Sequence, residues 1–128
     1  MSAFTEAEVA YLRSERRLAR LATVSPDGIP HVTPVGMWTL DPGTGIIEVS
    51  GHDMAATKKF RDAGRTGRAA LLVDDVLPPW QPRGVEVRGR AETITEPEPR
   101  IRIHPERIVS WGLDGDRPGR NARNVSVP

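Results

Sequence analysis

The stretch of the chain best suited to chemistry is Ser50-Gly51-His52-Asp53-Met54-Ala55-Ala56-Thr57-Lys58-Lys59-Phe60-Arg61-Asp62. A strand ends here, a glycine permits close approach to the backbone, and a helix begins whose free amides and dipole favour an anion. Lys58, Lys59 and Arg61 add three positive charges within a turn, beside the small or hydrogen-bonding Ser50, Gly51, His52 and Thr57. Of the 18 basic residues the only lysines are these two neighbours. The arrangement suits a phosphate group; the competing account is an ordinary solvated helix face.

Other chemistries find little support. There is no Walker-type phosphate loop, no G-x-G-x-x-G fingerprint after the first strand, no G-x-S-x-G elbow and no H-E-x-x-H. The absence of cysteine excludes thiolate nucleophiles, disulfides and cysteine-held metal centres. His31, His52 and His104 are isolated in sequence, and none shares an i, i+4 face with another ligand, so no metal site is expected. A net charge of +1 and an aromatic content of 5% argue against nucleic acid, which needs a cationic surface and stacking platforms. No window is apolar enough to span a bilayer, and the N-terminus lacks the basic and apolar regions of a signal peptide, so a cytoplasmic location is expected.

The elements that must position the lysine segment are mostly strands. Thr5 caps a short helix that carries Glu6 and Glu8 in its first turn and ends near Ser14. Leu18 to Val24 and Ile29 to Thr39 form a hairpin about Ser25-Pro26-Asp27-Gly28. On the second arm His31, Thr33, Val35 and Met37 share one face, and Pro34 and Gly36 point to an edge or bulge. Ile46 to Ser50 is a third strand. Asp53 is a candidate cap for a helix from Met54 to Ala63, with Gly64 placed to end it.

Arg68 to Val73 is a fourth strand that exits at Asp74-Asp75 into a proline-rich surface loop, Leu77 to Gly84. Val85 to Ile94 alternates cleanly, with Val85, Val87, Gly89, Ala91 and Thr93 facing in. A last strand, Ile101 to Trp111, is interrupted at Pro105. The tally is a mainly β chain of six antiparallel strands with peripheral helices. Its 128 residues form one domain, with 113–128 a partly flexible tail. Closure into a barrel would remove the exposed sheet edges.

The run Leu18-Ala19-Arg20-Leu21-Ala22-Thr23-Val24-Ser25-Pro26-Asp27-Gly28-Ile29-Pro30-His31-Val32-Thr33-Pro34-Val35-Gly36 resembles the opening hairpin of the pyridoxamine-phosphate-oxidase-like superfamily. Lys59-Phe60-Arg61-Asp62 and the strand from Arg68 to Asp75 are similar to that family's lysine-bearing helix and following strand. The segments Pro79 to Gly89, Ile101 to Gly112 and Asn121 to Val125 resemble its actinobacterial F420-dependent branch. The resemblance spans nearly the whole chain and implies a six-stranded split β-barrel that acts as a homodimer.

It further implies that Lys58 and Lys59 hold a cofactor phosphate with Arg61 nearby, and that the backbone of Val35, Gly36 and Met37 faces a tricyclic ring. Ser50, Gly51 and His52 would line the neighbouring strand end, and Trp80, Arg83 and Arg123 would complete the partner's site. His52 is the candidate proton donor. The implied activity is hydride transfer from reduced coenzyme F420, a deazaflavin, to an unsaturated planar organic acceptor. FMN in the same fold and a non-catalytic carrier of F420 or another planar ligand are the alternatives. Vitamin B6 oxidation is not expected, because this short chain lacks the further C-terminal arginines of true pyridoxamine phosphate oxidases.

Overall fold

The computed structural model describes residues 3–113 and 120–126. Helix α1 spans Glu6–Ser14, capped by Thr5 as expected, and Glu8 returns the contact: the Glu8 amide donates to Thr5 Oγ1 and the Thr5 amide to Glu8 Oε1. Eight strands follow, two more than the expected six: β1 (Ala19–Val24), β2 (Pro30–Val35), β3 (Met37–Leu40), β4 (Ile47–Ser50), β5 (Arg68–Leu77), β6 (Gln81–Ile94), β7 (Arg100–Trp111) and β8 (Arg120–Asn124). Helix α2 (Lys58–Thr66) crosses from β4 to β5.

All neighbouring strands pair antiparallel, in the order β2-β1-β5-β6-β7-β4-β3. The two strands at the ends of this path, β2 and β3, are separated in sequence by Gly36 alone. Seven strands laid flat at about 4.8 Å spacing would hold their outer members roughly 29 Å apart. A one-residue link reaches about 7 Å. The sheet must therefore curl until its ends meet, which gives the half-barrel that the resemblance implied. What the sequence presented as one strand from Ile29 to Thr39 is two strands on opposite ends of the sheet, because Gly36 breaks the pairing between them.

Inside the curl lie Ala19, Leu21, Ile47, Val49, Leu71, Val73, Val85, Val87, Ile101 and Ile103, all essentially without solvent contact. Along each of these strands buried residues alternate with more exposed ones over the core-facing stretch, as the two-residue period of a strand requires. Burial of a side chain of this size is worth about 1.5–3 kcal/mol.

Four local expectations are corrected. The proline-rich segment is a tight hairpin rather than a loop: β5 continues to Leu77, β6 starts at Gln81, and Val76 pairs with Pro82. The second helix starts at Lys58, not Met54, because Thr57 caps it by accepting from the Phe60 amide, and Met54–Ala56 is a separate 3-10 turn. That helix ends at Gly67 (φ +70°), whose amide donates to Ala63 O, while Gly64 lies mid-helix, where a Cβ would come within 3.2 Å of Thr93. Finally, part of the expected flexible tail is strand β8, paired with β7 from Arg107 to Trp111. Residues 114–119, 127 and 128 of that segment lie outside the described residues.

Pro105 sits where the sequence placed an interruption. Arg88 faces Arg107 but Gly89 faces Pro105, so Glu106 is extruded as a bulge. The strands approach so closely there that a Cβ on Gly89 would lie 2.1 Å from His104 O. Gly89→Ala should therefore cost about 1–3 kcal/mol in urea unfolding with an unchanged m-value.

Candidate functional site

Local sequence dictates how the lysines are presented. Thr57 spends its hydroxyl on the α2 cap, donating to Met54 O (2.7 Å) and accepting from the Phe60 amide (3.3 Å). This sets Lys58 and Lys59 in the first turn, where amides lack carbonyl partners. They face the β1–β2 hairpin across a cleft of about 200 Å³, whose walls include Thr23, His31, Thr33 and Thr57. His31 stands opposite Thr23 in the hairpin register, with Thr33 two residues along the same strand face. The charges of Lys58 and His31, together with a hydrogen bond from Ser25 as the larger cause, hold the Asp27 carboxyl below its ordinary range.

The two lysines are not equivalent. Lys58 Nζ lies 3.2 Å from Oδ2 of Asp62, a carboxylate only 2% exposed. That oxygen has no well-aligned hydrogen bond, so the attraction is Coulombic rather than directional. Lys59 is half-buried and has no carboxylate partner among the described residues. Arg61 turns away, donating to Ala56 O at 3.1 Å, and does not line the cleft.

Strand β2 links this cationic cleft to the segment expected to face a ring. From His31 to Gly36 is five residues, roughly 17 Å of extended chain. Val35 is buried, whereas Gly36 and Met37 are exposed. A Cβ on Gly36 would meet only Leu18 Cδ1, at 4.0 Å, so the glycine fronts open space. Met37 pairs with Ser50, whose Oγ donates to Met37 O, and Gly51 and the exposed His52 follow in the turn. The fold thus brings together Val35, Gly36, Met37, Ser50, Gly51 and His52 at one corner, with Lys58 and Lys59 at the far end of β2.

Trp80 and Arg123 do not join that group within the protomer, and Arg83 is distant only from its lysine end. Thr23 of the lysine cleft pairs with Ala69 on β5, and Arg83 pairs with Asp75, six residues or roughly 20 Å further on. Ala19 pairs with both Val35 and Val73, so Asp75 lies on the side of the Gly36 corner. Trp80 projects from the β5–β6 hairpin at 76% exposure. Arg83 forms a bidentate fork on Asp75 (2.8 and 3.0 Å), which also accepts from Tyr11 OH (3.0 Å) and Arg17 Nε (3.4 Å). Both guanidinium groups lie over the Tyr11 ring, at 3.9 Å for Arg17 and 5.0 Å for Arg83. Arg123 clamps α1 to β8: its terminal nitrogens donate to both oxygens of Glu8, to Ala3 O and to Asn121. Burial pushes the Glu8 carboxyl up, but hydrogen bonds from Arg123, Ser110 and Thr5 outweigh it and hold the group low.

Sequence inspection overlooked His31, Thr33 and Thr23 as cleft residues. The signal was present in the shared face of His31, Thr33 and Val35 and in the hairpin register, but nothing in the sequence aligned that face with Lys58. It also missed the Tyr11–Arg17–Asp75–Arg83 cluster, which joins residues far apart in the chain. Among the described residues no three metal-ligand side chains converge, and no helix is long and apolar enough to cross a membrane.

A curled antiparallel half-barrel with a helix start beside its edge strand is the architecture of the split β-barrel class. The family model described as pyridoxamine 5'-phosphate oxidase matches residues 5–125, and the chain belongs to this family. It is 40% identical, over 97% of its length and 94% of the relative's, to the 5a,11a-dehydrotetracycline/5a,11a-dehydrooxytetracycline reductase of Streptomyces rimosus. Among solved structures it resembles a conserved hypothetical protein of Mycobacterium tuberculosis (TM-score 0.71, 26% identity, 88% of each chain). It shares the fold of a FAD-binding protein of Mesorhizobium loti (TM-score 0.60, 20% identity, 84% of this chain and 93% of that one).

The Asp75 cluster carries a pH signature. Chiefly through the Arg83 fork, its carboxyl falls from 3.8 to about 2. A folded-state value below the unfolded one stabilises above the unfolded value, and that contribution disappears as pH falls through the folded value. The destabilisation caused by Asp75→Asn should therefore be full at about pH 5 and shrink as pH drops toward about 2, read from urea midpoints of both proteins.

Proposed function

We propose that this protein is an F420H2-dependent reductase that transfers a hydride to an unsaturated planar organic acceptor. The observation that carries the reading is the geometry of β2, an edge strand that runs from a half-buried, uncompensated ammonium at Lys59 to the open backbone at Gly36. Its length of roughly 17 Å matches a cofactor with a phosphate at one end and a flat ring at the other. The named activity of the Streptomyces rimosus relative supports the reaction class. The resemblance of the later segments to the F420-dependent branch supports a deazaflavin over FMN.

The residues present fit such a group. Lys59, His31 and the free amides opening α2 supply donors for a phosphate, with Lys58 adding charge from its pairing with Asp62. Gly36 leaves room for a ring against the backbone, and Met37 and Ser50 border it. When bound, the reduced deazaflavin supplies the hydride, so no catalytic triad is required of the protein. His52, at the ring-facing corner, is placed to deliver a proton.

The protein works as a homodimer, with Trp80 of each protomer completing the site of the other. Two observations support this. One is the exposure of Val32, Met37 and Trp80 at 71%, 53% and 76%. The other is an open depression of about 510 Å³ floored by Ala22, Val24, Pro30 and Ala70 on the outer sheet face. Exposed apolar area of this kind marks an association surface. Arg83 and Arg123 are left out of the shared site, because Arg83 is held in the bidentate fork on Asp75 and four of the five donors of Arg123 are engaged with Glu8, Asn121 and Ala3.

Equilibrium binding of F420 and FMN to the purified protein, with sizing, tests the reading. Saturable F420 binding by a dimer is expected, and tighter binding of FMN would overturn the deazaflavin assignment. Lys59→Ala should weaken cofactor affinity by about tenfold or more, a loss of ~1.5–3 kcal/mol, while leaving the melting temperature of the free protein unchanged. Lys58→Ala should lower both, since it strands the buried Asp62 carboxylate without its counter-charge.

A further inference from the structure

Where α1 ends and β3 begins, the surface opens into a depression of about 370 Å³ that adjoins the ring-facing corner through Gly36. Its apolar wall is Leu12, Trp38 and Leu40, and three guanidinium groups, Arg13, Arg16 and Arg17, face a single carboxylate, Glu15. Arg17 is fully engaged. It pairs with Glu15 at 2.9 Å and with Asp75 at 3.4 Å, stacks on Tyr11 and donates to Tyr11 O. Glu15 is thereby neutralised.

Arg16 makes one hydrogen bond, from a terminal nitrogen to Gly36 O at 3.0 Å, and Arg13 has no carboxylate partner among the described residues. Two uncompensated cations thus converge beside an apolar wall. The fold fixes the depression by the bond from Trp38 Nε1 to Arg17 O, 2.8 Å. A concave, partly apolar site with a few convergent polar groups has the anatomy of a small-molecule pocket.

We propose that this cleft receives the acceptor, and that Arg13 and Arg16 bind an anionic oxygen (enolate, phenolate or carboxylate) carried by an otherwise apolar planar molecule. The proposal rests on the reductase reading and names the substrate class for it. Arg16 links the two regions directly, since it holds the carbonyl of the same Gly36 that fronts the ring position.

The chemistry calls for a cation here. When bound, a reduced deazaflavin would supply hydride to the β-carbon of a conjugated C=C–C=O acceptor; the C=C π pair would then form the bond from the α-carbon to the carbonyl carbon as the C=O π pair moves onto oxygen. The resulting enolate takes a proton at its α-carbon. The acceptor is thereby reduced by two electrons and the cofactor oxidised by two. A guanidinium positioned at that oxygen stabilises the charge as it develops.

The test uses the full-length protein without cofactor, a planar carboxylate probe, 2-naphthoate, and its uncharged isostere, 2-naphthamide. Trp38 is one of three tryptophans, and its indole N–H resonance, assigned with Trp38→Phe, reports on the cleft directly. Saturable shift of that resonance by 2-naphthoate is expected, with the amide binding about tenfold or more weakly. Arg13→Gln with Arg16→Gln should abolish the preference for the carboxylate, and Arg13→Lys with Arg16→Lys should retain it.

Equal binding of the two probes, loss of preference in the Lys pair to the same extent as in the Gln pair, or shifts confined to other tryptophans would overturn the proposal. Failure of the unsubstituted protein to bind F420 would sink the cofactor reading alone, because the naphthoate titration does not depend on it.

Discussion

The one-residue join at Gly36 constrains everything else in this molecule. Because β2 and β3 lie at opposite ends of the sheet path, the chain can connect them through a single glycine only if the whole sheet bends round to bring its edges together. That curl creates the enclosed apolar interior, and it leaves backbone at the seam that is paired on one side only. The bonds from Arg16 to Gly36 O and from Trp38 to Arg17 O fasten the seam to the end of α1. The corner where the fold closes is thus also the corner left accessible to a ligand, with structural necessity and binding opportunity arising from the same residue.

Electrostatics divide the many arginines into two populations. Several are compensated in fixed pairs: Arg83 and Arg17 on Asp75, Arg123 on Glu8, and Arg100 and Arg102 on Glu48. These hold elements distant in sequence in register, with the Glu8–Arg123 clamp tying the first helix to the last strand. Among the described residues Arg61, Arg65, Arg90, Arg107 and Arg120, like Lys59, Arg13 and Arg16, have no carboxylate partner, and the last three stand out by position. They border the two depressions at opposite ends of β2. A cation left without a counter-ion next to a concavity is available to an anionic ligand, whereas one in a bidentate fork must first lose a good partner.

Membership of the pyridoxamine 5'-phosphate oxidase family fixes the scaffold but not the reaction, since one fold hosts many chemistries. What distinguishes members of such a family is the lining of the clefts around a shared closure. Here that lining comes from the first helix and the seam strand, elements that the core would tolerate in many other sequences.

By itself the sequence determined the elements whose signals are local. The Thr5–Glu8 capping box, the alternation along Val85 to Ile94, the turn at Pro26-Asp27-Gly28 and the clustering of Lys58 and Lys59 all depend on residues within a few positions of one another. The resemblance carried by the opening hairpin added the family. Strand β8 stayed hidden because its partners on β7 lie nine to seventeen residues away in the chain and its own composition is polar.

The separation of β2 from β3, the seating of His31 and Thr33 against Lys59, and the commitment of Arg83 and Arg123 to Asp75 and Glu8 were decided by tertiary structure alone. Local preference cannot specify which strands become neighbours when a sheet closes. Nor can it say which of 16 arginines will find a carboxylate, because both outcomes are set by distances that exist only once the chain has curled.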